Sequence, residues 1–210
     1  ADGLVFGKDG KCNLTDQPYA DALNFMIENS KADYTSGDAL ATAATESQEL
    51  FTNGKVAMQL NWSHQYPAAV AIMGKDKVGV APMIAGSSGI GATTGPWYEC
   101  VMKNSKHSDI AKQYVKFMYD HNADYMNLTL KIAGRKSVYE DAAKVEGNEH
   151  TVAVLDTLSQ PQSQPRPMVK NWPQIEEVLV GVVESTLGGA NVNKALSDAS
   201  AKIDAINSGN

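Results

Sequence analysis

The chain has 210 residues, 43% hydrophobic and 20% charged, with a formal net charge of -6. That composition excludes a disordered chain, and the acidic balance without any Lys/Arg block excludes nucleic acid or an anionic membrane surface as partner. No apolar run approaches the roughly 18 to 20 residues of a membrane-spanning helix. The chain opens Ala1-Asp2-Gly3, without Met and without a charged-then-apolar leader, which reads as a processed protein or a piece of a longer one.

In chain order, Thr15-Asp16 predicts the cap of a helix to about Ser30, with Ala22, Leu23, Met26 and Ile27 as its apolar face. Thr45 with Gln48 forms a capping-box pattern for a short helix carrying Leu50 and Phe51, stopped by Asn53-Gly54. Val56, Met58 and Leu60 alternate as in a strand, and Val78 with Val80 begins another that Pro82 ends. Ala85 to Gly95 reads as a loop of small residues, and Trp97 to Met102 as a third strand. Ser108 predicts a helix to about Asp120, with Ile110, Ala111, Tyr114, Phe117 and Met118 at helical spacing. Val152, Val154, Leu155 and Leu158 suggest a further short helix, and the prolines between Ser159 and Pro167 an extended connector. Pro173 opens a helix carrying Ile175, Val178, Leu179 and Val182, which Gly188-Gly189 stops. Asn191 caps the last helix, whose face is Val192, Ala195, Leu196, Ala199, Ile203 and Ile206. Strands interspersed with helices indicate an α/β protein.

Catalytic patterns are scarce. Gly86, Gly89 and Gly91 lack the Lys-Ser/Thr and following helix of a phosphate loop. The four histidines, His64, His107, His121 and His150, show no ligand spacing, so neither metal nor cofactor is expected. Cys12 and Cys100 are too few for a disulfide scaffold and are compatible with one bridge or two separate buried thiols. Glu99 has no second carboxylate placed near it for acid/base work. The informative residues are the three tryptophans, each at an element junction beside polar or small neighbours: Asn61-Trp62-Ser63-His64, Gly95-Pro96-Trp97-Tyr98 and Asn171-Trp172-Pro173. Flat apolar faces beside amide and hydroxyl groups suit a cleft for a polar ligand with apolar ring faces, a sugar above all.

These residues carry a resemblance. Leu50-Phe51-Thr52-Asn53-Gly54-Lys55-Val56-Ala57-Met58 resembles the LFxxGKVAM segment of the sugar-type extracellular solute-binding proteins of ABC transporters, the family that includes maltose-binding protein. Val78 to Met83 is similar to that family's GVAPLP strand, Gly95-Pro96-Trp97 to its GGW, and Asn104-Ser105-Lys106-His107 with Ala111 to Phe117 to its NSKNxEAAxxFxxF segment. Gly134 to Tyr139 resembles LPxRKSVY, and Arg166-Pro167 with Trp172-Pro173-Gln174 resembles RPxxxxYPQ. The chain departs from the pattern at Pro96 for the second Gly, at Gly134 for Leu-Pro, and at Trp172, where Tyr is common.

The resemblance implies a periplasmic-binding-protein-like (type II) α/β fold, and it places this chain as the C-terminal half of a two-lobed protein. Residues 1–96 and 143–210 would belong to the second lobe, and 97–142 to a hinge strand and a segment of the first. It implies a non-enzymatic receptor that captures a mono- or oligosaccharide between the lobes and delivers it to ABC permease subunits. The N-terminal half of the same protein would be a further partner. The location implied is periplasmic or extracellular, the protein being either free or a lipoprotein anchored through that N-terminal half. The expected ligand contacts are Trp62 and Trp97 by stacking, Asn61, His64, Tyr98 and Glu99 by hydrogen bonding, and Trp172. For Arg166, a salt bridge holding the Pro-rich connector is favoured over ligand contact. The rival readings are the same fold with a polyamine, peptide or anion, and a carbohydrate-active hydrolase using Glu99.

Overall fold

The computed structural model describes residues 5–32, 34–35, 44–86, 89–145 and 148–209. The chain divides into two compact units, one from residues 1–42 with 165–210, the other from 43–164.

The first unit is built on three helices: α1 (Gln17–Lys31), α8 (Trp172–Leu187) and α9 (Val192–Ser208). Their ends follow local chemistry. Asn191 accepts the Lys194 amide at 3.0 Å, the cap expected of it, and Gly189 takes φ +102°, a conformation L side chains rarely adopt. The facing stripes bury Leu23, Ile175, Val182, Leu196, Ala199 and Ile203 with Leu14 in one cluster. Burying each large aliphatic side chain contributes about 1.5 to 3 kcal/mol. A hairpin over residues 5–13, closed by Gly7 N–H to Lys11 C=O and Asn13 N–H to Val5 C=O, lies on α9. There the Cys12 amide donates to the Asp204 carboxylate at 2.8 Å. The face of α1 is shifted from the expected one: Tyr19, Ala20, Leu23 and Ile27 turn inward, whereas Ala22 and Met26 are exposed. The partner helices select which stripe is covered, and both stripes are apolar enough to serve.

The second unit holds α2 (Ala44–Thr52), a 3-10 turn (Ser63–Gln65), α3 (Tyr66–Met73), α4 (Ser108–Asp120), α5 (Asn122–Thr129), α6 (Lys136–Ala142) and α7 (Glu149–Leu158). Its described strands are two-residue pieces: β1 (Ala85–Gly86) pairs antiparallel with β2 (Gly89–Ile90), followed by β3 (Thr93–Thr94) and, at the boundary, β4 (Gln164–Pro165). Residues 87 and 88 of the expected small-residue loop lie outside the described residues, and the flanking residues form this hairpin instead of a plain loop. The three expected strands, Val56–Leu60, Val78–Val80 and Trp97–Met102, carry no ladder among the described residues, and Ala57 stands in a bend. A strand needs a neighbour to satisfy its amides, and propensity does not supply one.

Over residues 58–61 the alternation is also inverted, whereas Val56 is half-buried and Ala57 exposed as expected. Met58 and Leu60 are 86% and 64% exposed, while Gln59 and Asn61 turn inward. Apart from Met126, the buried set of this unit is small or polar: Gln48, Ala69, Ala133, His150, Thr151, Ala153 and Thr157. On α7 the inward face is therefore His150, Thr151, Ala153 and Thr157, with Val152 and Leu158 of the expected stripe exposed. Helix α4 occupies the expected residues yet buries none of its side chains, and Ile110, Tyr114 and Phe117 face solvent. Its N-cap is His107, not Ser108. Cys12 and Cys100 are both free thiols, the first buried and the second exposed, so neither the bridge nor a pair of buried thiols is observed.

Candidate ligand-binding site

The short stretch from Gln59 to Gln65 leaves α2's neighbourhood and enters α3, whose first turn holds Pro67. At its centre Trp62 is 37% exposed. Its backbone N–H donates to Asn61 Oδ1 at 2.8 Å, and its carbonyl accepts the Gln65 amide at 3.0 Å, closing the 3-10 turn. Asn61 Nδ2 donates in turn to Gln59 Oε1 at 3.2 Å, which also accepts from Ser47 Oγ at 3.4 Å. Gln59 Nε2 donates to Gln48 Oε1 at 2.7 Å, and Gln48 Nε2 to the Gln65 carbonyl at 3.3 Å. Gln48 thus spends its side chain on this turn and does not reach back to cap α2, as the capping-box pattern predicts.

The outer edge of the indole lies close to Gly95. A methyl group at that position would stand 3.3 Å from Cη2 and Cζ3 of Trp62. The chain then passes through Pro96 to Trp97, 92% exposed, and on to Tyr98 and Glu99, both exposed. His64 is exposed on the 3-10 turn. The structure therefore gathers Asn61, Trp62 and the Gly95 segment in one unit, with Trp97, Tyr98 and Glu99 immediately along the chain.

Trp172 belongs to the other unit. It opens α8 and packs against that unit's core, its Nε1 buried without a hydrogen-bond partner. Arg166, nearby in sequence, stands 3.8 Å from Glu176, the salt bridge expected of it. In the second unit Tyr66 stacks on His150 with centroids 4.3 Å apart and planes 15° from parallel. Burial, reinforced by the Lys75 charge, holds the His150 pKa below the ordinary histidine value of 6.5, while Glu149 opposes the shift. Burial also raises the Tyr66 hydroxyl above its usual value, with a smaller contribution from Glu149. Among the described residues no three His, Cys, Asp or Glu side chains gather in a way that could hold a metal ion.

Sequence reasoning missed Gln48 and Gln59. The only signal for Gln59 was the polar half of the 56–61 alternation, which a hydrophobic reading assigns to solvent, and Gln48 stood out only as a capping-box partner.

The sequence matches the family described as bacterial extracellular solute-binding protein over residues 1–124. Binding proteins of Brucella abortus and Brucella suis are 26% identical over 209 residues, 96% of this chain and 49% of theirs. Among solved structures, maltose-bound T. maritima MalE3 superimposes with a TM-score of 0.77 at 22% identity, covering 96% of this chain and 54% of that one. The chain spans about half the length of the relatives it matches. Its fold is the periplasmic-binding-protein-like α/β fold that the resemblance implies. With more than half of its residues matched to the family, this chain belongs to the bacterial extracellular solute-binding proteins, which are binding receptors and not enzymes.

Proposed function

We propose that this chain is the C-terminal half of a carbohydrate receptor that serves an ABC importer outside the cytoplasmic membrane. Residues 1–96 and 143–210 contribute to one lobe, and 97–142 to a hinge crossing and part of the other. A mono- or oligosaccharide is held between the lobes, whose closure presents it to the permease. The observation that carries this reading is Trp62: a part-exposed indole seated on Gly95, its backbone held by amide groups that are themselves held. By analogy with aromatic pairs, a sugar ring stacked on such an indole gains about 1 kcal/mol beyond its buried area. Trp97 supplies a second apolar face, and Asn61, His64, Tyr98 and Glu99 bond hydroxyls. Each buried polar group left unpaired costs about 1 to 3 kcal/mol, so these groups select among sugars. Trp172, packed on its own unit's core, supports the start of α8 in this scheme. Family membership supports the receptor role, and the maltose bound by the T. maritima relative supports a sugar.

Tryptophan fluorescence of the full-length protein, titrated with mono-, di- and oligosaccharides, tests the proposal. A saturable shift that disappears in Trp62→Ala and Trp97→Ala, without product formation, is expected. No response to any sugar would overturn the carbohydrate reading and direct the panel to polyamines, peptides and anions.

A further inference from the structure

We propose that Gln48 is a positioning residue for Trp62, a single buried carboxamide that fastens both sides of the turn and so sets the direction of the indole face. Gln48 is 6% exposed and lies eleven residues before Gln59 on a different element. Its oxygen accepts from Gln59, which accepts from Asn61, which accepts the Trp62 N–H. Its nitrogen donates to the Gln65 carbonyl, and the Gln65 amide donates to the Trp62 carbonyl. Both backbone polar groups of Trp62 therefore trace to the same side chain, one through two amide side chains and the other through the backbone N–H and C=O of a single residue, Gln65. The ring of bonds closes because a carboxamide is donor and acceptor at once. Methionine, close in shape, supplies neither function. An ionised glutamate accepts from Gln59 but has no proton to give Gln65.

The burial of Gln48 sharpens the requirement, since a lost partner leaves the half-buried Gln59 amide or Gln65 carbonyl without its bond to that side chain. It also accounts for the inverted alternation of residues 58–61. Gln59 and Asn61 turn inward because their amides continue the chain from Gln48, and Met58 and Leu60 are turned outward as a result. The consequence for ligand affinity rests on the carbohydrate reading; the consequence for Trp62 does not.

The test is 19F NMR of the full-length protein labelled with 5-fluorotryptophan, the Trp62 resonance assigned with Trp62→Phe. In Gln48→Met the Trp62 resonance is expected to shift or broaden while that of Trp172 stays in place. In Gln48→Glu the Trp62 resonance is expected to move with pH, returning toward the wild-type position as the carboxyl is protonated and regains its donor; the wild-type resonance does not follow this course. Sugar affinity is expected to fall about tenfold in Gln48→Met, the equivalent of roughly one lost hydrogen bond. Trp62 resonances unchanged in Gln48→Glu across the pH range would overturn the proposal, and this isosteric variant decides the matter if Gln48→Met fails to fold. A displaced Trp62 resonance in a protein that answers to no sugar would overturn the carbohydrate reading and leave the positioning role standing.

Discussion

Contacts at single side chains have consequences that can be measured. Gly95 leaves no room for a methyl group at ordinary van der Waals distance from Trp62, since the added carbon would meet the ring edge at 3.3 Å. Gly95→Ala is expected to tilt the indole by a few tenths of an ångström, altering Trp62 emission in the unliganded protein. An emission spectrum superimposable on wild type would show that the ring does not depend on that seat. His150 acts through its charge state. It is buried, stacked on Tyr66, and its Nδ1 is without a partner. Its folded-state pKa lies below the unfolded value, so the unfolded chain binds the extra proton first. Its contribution is complete above about pH 6.5 and is lost as the pH falls through the lowered native value. Chemical denaturation of the second unit at several pH values is expected to show this loss, and His150→Phe to flatten it. The sequence does not point to His150, because four scattered histidines carry no spacing and its surroundings come from residues 84 positions away in the chain.

Among the elements, those with local punctuation were legible and those that depend on distant partners were not. Helices α8 and α9 follow the expectation closely because Pro173, Gly188-Gly189 and Asn191 act within a few residues of themselves. Asn191→Ala removes the bond to the Lys194 amide and is expected to cost about 1 kcal/mol, read as a lowered midpoint of thermal unfolding monitored at 222 nm. In α1 and α7 the helix was legible but its buried face was not, since each offers two stripes and the packing partner chooses. The segments at 56–60, 78–80 and 97–102 fail as strands for a related reason: β pairing is a property of two segments, and no ladder partner is present among the described residues. At the candidate site, Trp62 and Trp97 were legible as aromatic residues out of place in a core. The amides of Gln48 and Gln59 were not, because inward-facing polar residues imitate a solvent face.

For the whole molecule, apolar residues are distributed unevenly. The first unit closes an aliphatic core around Leu14, Ile175 and Ile203, whereas the second leaves Ile110, Tyr114, Phe117, Leu128 and Met102 on its surface. Exposed apolar area of this kind favours association. The isolated 210-residue chain is expected to bind a hydrophobic dye and to show a mass in sedimentation that rises with concentration. A strictly monomeric chain that ignores the dye would show that these side chains do not form a continuous patch.

The contrast between the two thiols provides a clock for the first unit. Cys100 is open to reagent in the folded state, but Cys12 is buried in the hairpin that Asp204 and Ser200 hold onto α9. An alkylating reagent should therefore consume one equivalent at once and the second only as fast as that hairpin lifts. The slow phase, followed by mass spectrometry in native buffer, would time the opening of this end of the chain with no label added. Asp204→Ala, by releasing the Cys12 amide, should make it run faster.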